Sequence, residues 1–162
     1  MKIYYEETQY LPKTIIAILV GFGLALTAFQ FGVWFNNGWQ NFLPKAGILV
    51  LLYLILWSIF MIFRQKTTIT EQFIKIQYTP FQNRIIPLER IASMDLINHI
   101  GILGYGVRKT DNGWSYNISA KQGVFLKSIV NKKLIIGSLR NKELLAAITQ
   151  ALAHSNKAKA QA

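Results

Sequence analysis

The sequence predicts a two-part protein: a membrane α-helical hairpin followed by an α+β domain. The domain is expected as an antiparallel, partly open barrel of about seven strands closed by a C-terminal helix. Three observations carry this expectation. Two uncharged apolar runs lie close together near the start of the chain. Short alternating segments separated by turn residues follow them, and the last periodic segment is amphipathic at helical spacing. The high apolar share, 52%, and the mean hydropathy of +0.27 come mostly from the first part. The expected organisation is a cytoplasmic N-terminus over 1–13, a transmembrane hairpin over 14–63, a domain over 64–154 and a disordered tail over 155–162.

The first run, Thr14 to Phe35, and the second, Gly47 to Phe63, contain no charged residue. A helix crosses the hydrocarbon core with about 20 apolar residues. The first run meets that directly, and the second does so if Leu43 to Ala46 reach the interface. Neither has the polar stripe of a soluble core helix. No ionisable side chain lies within them, so they read as an anchor and not as an ion or proton path. Gly21 and Ala25 form a small-xxx-small pair suited to close helix approach.

The link Asn36 to Lys45 carries one lysine, whereas Lys2, Lys13, Arg64 and Lys66 flank the other ends of the spans. The positive-inside rule then sets both termini in the cytoplasm. Trp34, Trp39 and Phe42 suit the outer interface, and Tyr10, Phe60 and Phe63 the inner one. All but three of the 18 lysines and arginines lie from Arg64 onward, so most of the net charge of +11 belongs to the downstream part. Such a field attracts polyanions.

In the downstream part, TTITEQ and FIKIQYTPF read as strands, with Ile74, Ile76 and Tyr78 on one face. Arg84 to Pro87 and Ile91 to Ile97 follow, then an irregular glycine-rich stretch from His99 to Gly106. Val107 to Thr110 and Trp114 to Ser119 are strands joined at Asp111-Asn112-Gly113, where Asn-Gly supplies the positive φ of a tight turn. VFLKSIV and KLIIGS complete the set. Asn141 to His154 is an amphipathic helix with Leu144, Leu145, Ile148, Ala151 and Leu152 as its apolar stripe.

This order of elements resembles the pleckstrin-homology (PH) superfold. The residues resemble, more specifically, a family of uncharacterised bacterial membrane proteins with two transmembrane helices followed by a bacterial PH-like domain. Glu7-Thr-Gln9, Thr68-Ile-Thr70, Tyr78-Thr-Pro80-Phe81, Tyr105-Gly-Val-Arg108, Tyr116-Asn-Ile-Ser119, Gly123-Val-Phe-Leu126 and Ile135-Ile-Gly137-Ser138 carry the resemblance. Ser138 and Asn141 depart from it, where Thr and Pro are expected. The resemblance implies a location in the bacterial inner (plasma) membrane and a domain able to oligomerise.

No motif for catalysis is present: no G-x-S-x-G, no phosphate-loop signature, no paired carboxylates and no cysteine. His99 and His154 stand without carboxylate or cysteine partners at ligand spacing, so no metal or other cofactor is expected. Gly104-Tyr-Gly106 lacks the following helix of a phosphate loop and reads as tight backbone geometry. The function expected is therefore a non-catalytic scaffold or interaction module on the cytoplasmic face of the membrane, binding partner proteins or self-associating. The alternative is a module that lies on the anionic inner leaflet through basic turns, each cation there contributing about 1 kcal/mol. Candidate lipid or partner contacts are Arg64, Lys66, Arg84, Arg108, Lys132 and Lys133. Nucleic acid is the least favoured partner, because the domain is tethered to a membrane.

Overall fold

The computed structural model describes residues 2–37, 42–98, 106–110 and 113–160. Trp39, His99, Gly104, Tyr105 and the Asp111-Asn112 turn lie outside the described residues, as do the side chains of Trp34, Phe42, Lys45 and Phe60. The chain forms two compact units. One comprises Met1–Tyr10 together with Arg64–Ala162, and the other is Leu11–Phe63.

The second unit is a pair of helices, α1 (Lys13–Asn37) and α2 (Phe42–Ile62). Over Lys13–Val33, α1 is long and apolar enough to cross a membrane; the apolar stretch described in α2, Gly47–Ser58, is shorter. They meet at Gly23, whose carbonyl accepts hydrogen bonds from the Tyr53 hydroxyl and from Thr27 one turn on, each at 2.9 Å. A Cβ at Gly23 would stand 2.9 Å from the Tyr53 ring, so a side chain there forces the tyrosine to move. The Gly21 face expected to pack has no atom close to it.

The first unit is the α+β domain. One sheet has the order β1–β2–β3–β4, from β1 (Ile3–Tyr10), β2 (Arg64–Thr70), β3 (Phe73–Thr79) and β4 (Gln82–Pro87). All its pairs are antiparallel. A short 3-10 helix, Leu88–Arg90, leads to a second sheet of β5 (Ile91–Ile97), β6 (Gly106–Thr110), β7 (Gly113–Asn117), β8 (Gly123–Ser128) and β9 (Lys133–Gly137). Its order is β5–β8–β9–β7–β6, and β7 runs parallel to β9. The helix α3 (Asn141–Ala160) closes the domain.

Three sequence expectations are corrected here. The strands number nine among the described residues, not about seven, and form two sheets without closing into a barrel. The segment expected as a flanking N-terminus is a strand of the domain, because Tyr5, Glu7 and Gln9 alternate inward along it. The segment 155–160, expected to be disordered, continues α3.

The first of these additions dictates the chain path. Tyr10 is the partner of Arg64 across β1 and β2, and the pairing continues through Thr8↔Lys66 and Glu6↔Thr68. The chain therefore leaves the domain and rejoins it at adjacent points. Between the sheets lies an aliphatic core of Ile69, Ile74, Ile76, Leu88, Val124, Leu126 and Ile136. Leu144, Ile148 and Ala151 of α3 fall at helical spacing and are fully buried against it, which explains why the helix is held.

Replacing Leu11–Phe63 by a two-residue Asn-Gly turn is expected to leave a soluble, folded domain, because β1 and β2 are already in hairpin register. The fragment 64–162, which lacks β1, is expected not to give a cooperative transition. Circular dichroism melts of the two proteins check this.

Candidate functional site

Two polar clusters lie near the two ends of β9. The first is at the end where the chain departs at Tyr10. Glu7, only 4% exposed, accepts hydrogen bonds from Tyr5 Oη (2.7 Å), Ser138 Oγ (2.7 Å) and the Leu139 N–H (3.0 Å). Ser138 Oγ in turn accepts the Arg140 N–H at 3.0 Å. These amides lead into α3, so a carboxylate from β1 satisfies donors at the approach to the helix and opposes the positive end of its dipole. Next to it, Gln9 donates to the Gly137 carbonyl at 2.9 Å and accepts from Ser119 Oγ at 3.1 Å. Gln65, fully buried, faces the same carbonyl at 3.4 Å.

A serine, a carboxylate and a tyrosine in contact resemble hydrolase parts, but here their hydrogen bonds tie β1 to the approach to α3. The acid is saturated with donors, and Ser138 Oγ is turned onto the carboxylate and the Arg140 amide. Burial raises the Tyr5 pKa above its ordinary value of 10.0, reinforced by the neighbouring Glu7 carboxylate and opposed by Ser138 and Arg140. Burial likewise raises that of Tyr78.

The second cluster is a groove of about 510 Å³ at the Lys133 end of β9. Gly137, at one end of β9, touches Gln9 and Gln65; Lys133, at the other, lies in the groove. The lining comes from β4 (Arg84 to Pro87), the 3-10 helix and the start of β5 (Arg90, Ile91), the ends of β7 and β8, and the β8–β9 turn. Arg84, Arg90, Lys127, Lys132 and Lys133 line it, and among the described residues no acidic one does. All five are exposed. The remaining lining side chains are mainly aliphatic, with Trp114 the single aromatic.

Local structure fixes this arrangement. The Ile129 amide donates to the Arg90 carbonyl (2.9 Å), tying the β8–β9 turn to the 3-10 helix, and Asn131 takes φ 58° to complete the turn. Gly113 has φ 95°, and a Cβ there would collide with the Lys133 carbonyl; the close approach of β7 to β9 beside the groove therefore requires glycine.

Of the sequence-derived candidates, the structure brings Arg84, Lys132 and Lys133 together in the groove. Lys66 is instead ion-paired with Glu6 (2.7 Å) on the β1–β2 face, and Arg64 pairs opposite Tyr10. Arg108 is half-buried on β6 opposite Ser115. Lys127 and Trp114 were not among the candidates; they reach the groove because β8 and β7 both border β9, an adjacency that spans non-consecutive strands. Among the described residues, no group of three or more His, Asp or Glu side chains is placed to hold a metal ion. No protein-family model, characterised protein or solved structure matches this chain.

The raised tyrosine pKa values give a sign for alkaline stability. The native state holds protons that the unfolded chain releases near pH 10, so stability is complete below about pH 10 and declines as pH rises through the folded values. Melts from about pH 8 to 11 are expected to show this decline, and Tyr5→Phe to reduce its slope. At neutral pH, Glu7→Ala is expected to cost about 2 kcal/mol, since it removes the acceptor of two buried hydroxyls and of the part-buried Leu139 amide.

Proposed function

We propose that this chain is a membrane-anchored, non-catalytic interaction module whose basic groove holds an acidic segment of a partner protein. The observation that carries the reading is the gathering of five cations around an aliphatic floor, with no carboxylate among the described lining residues. Clustered like charges repel one another, and an anionic occupant relieves that repulsion. Self-association through this groove is disfavoured, because the whole chain carries +11. Nucleic acid is disfavoured because single strands bind on stacked aromatic platforms, and Trp114 stands alone. The alternative of an anionic-lipid contact has the charge in its favour.

The anchor follows from chain path and apolarity together. Because Tyr10 pairs with Arg64, the Leu11–Phe63 insert must begin and end on one side of any membrane it enters. An even number of crossings is then required. With α1 able to cross, α2 makes the return, which gives a two-pass hairpin. Lys2, Lys13, Arg64 and Lys66 near the spans' domain-side ends, against Lys45 in the link, put the domain in the cytoplasm by the positive-inside rule. Two sheets packed with a C-terminal helix support a PH-like reading of the domain, and with it the resemblance to bacterial two-helix proteins of the plasma membrane.

Two measurements test this. The sequence has no cysteine, so single cysteines can be placed freely. Cysteines at Lys2 and Ser155 are expected to react only from the cytoplasmic side, and one at Asn41 only from the other. For the groove, the full chain in zwitterionic nanodiscs is expected to bind a fluorescent oligoglutamate, with affinity falling about tenfold or more in the Lys132→Glu, Lys133→Glu double variant and as salt rises. Equal binding by wild type and variant contradicts the proposed role of the groove.

A further inference from the structure

We propose that the occupant of the groove is an extended acidic segment that adds to β4 as a new outer strand of the first sheet; this rests on the reading above. β4 is the outer strand of that sheet, and its residues Arg84 to Pro87 form one wall of the groove. An outer strand turns half of its backbone N–H and C=O groups away from its own sheet, toward whatever lies alongside. Along Gln82 to Ile85 the strand is exposed, including Ile85 at 57%. Backbone hydrogen bonds along this edge supply affinity without regard to sequence, and the groove's side chains supply the selection.

The selection is by charge and by alternation. An extended chain presents successive side chains to opposite faces. Ile86 on the core-facing row and Ile85 on the other offer apolar contacts on both sides of the strand, and Val130 and Leu134 lie across from them. Arg90, Lys127, Lys132 and Lys133 rim the same space. Acidic residues alternating with aliphatic ones meet both demands. The cations also reject a like-charged strand, so a basic chain such as a second copy is excluded from the edge.

The test uses the full chain in zwitterionic nanodiscs and a fluorescent peptide alternating glutamate and valine. A second peptide has the same sequence with alternate backbone nitrogens methylated along the edge that would pair, which removes donors and leaves charge and side chains in place. The unmodified peptide is expected to bind, with affinity lowered about tenfold by methylation and by the Lys132→Glu, Lys133→Glu variant. If methylation has no effect while charge reversal weakens binding, strand addition is overturned and the acidic groove reading stands. If neither peptide binds, both are overturned. Binding of oligothymidylate, or of nanodiscs containing anionic lipid, would then reassign the groove to nucleic acid or to lipid. Because the methylation lies on the peptide, the test of strand addition does not depend on the fold of a variant.

Discussion

Everything in this molecule depends on the antiparallel pairing of β1 with β2 across the Leu11–Phe63 insert. Two strands that are neighbours in space are separated in sequence by both apolar helices. Closing such a long loop costs entropy that grows only slowly with its length, so the pairing is thermodynamically affordable if β1 has strong partners. It has them: Tyr5 and Glu7 reach Ser138, and Gln9 reaches Gly137 and Ser119, all on the far side of the insert. The approach to α3 is likewise completed by a carboxylate from the first strand. Both ends of the insert are held together by the domain itself, and the two-pass topology proposed above rests on that constraint.

The domain combines a buried polar cluster, an aliphatic core and a cationic groove. The polar cluster is tolerated because nearly every group is partnered, with Glu7 accepting three hydrogen bonds. The core is where Ile69, Ile74, Leu88, Ile136 and Ile148 exclude water. At the groove, strand ends and turns from both sheets converge, so charges that are distant in sequence become neighbours.

The two apolar helices were legible because composition alone distinguishes them. So were β3, β8, β9 and the buried stripe of α3, whose periods are clean. β1 was hidden because its inward residues, Tyr5, Glu7 and Gln9, are polar, and strand signals rest on apolar alternation. The open, partly parallel second sheet was hidden because β7 pairs with β9 across an intervening strand, a long-range choice that local pattern does not encode. In the groove, Arg84, Lys132 and Lys133 stood out as cations near turns, whereas Lys127 sits within a strand and reads as solvated. Lys66 was drawn by its nearness to the membrane span, yet the strand register brings it to Glu6.

The most direct measurement is cysteine cross-linking of the full chain in its membrane, with Thr8 and Lys66 replaced together. These residues are partners across β1 and β2, and no native cysteine competes. Mild oxidation is predicted to link them nearly completely within one chain, whereas cysteines at Thr8 and Lys75, on strands that are not neighbours, stay unlinked. Failure of the first pair to link, or equal linking of the second, would contradict the discontinuous domain and the two-pass topology that depends on it.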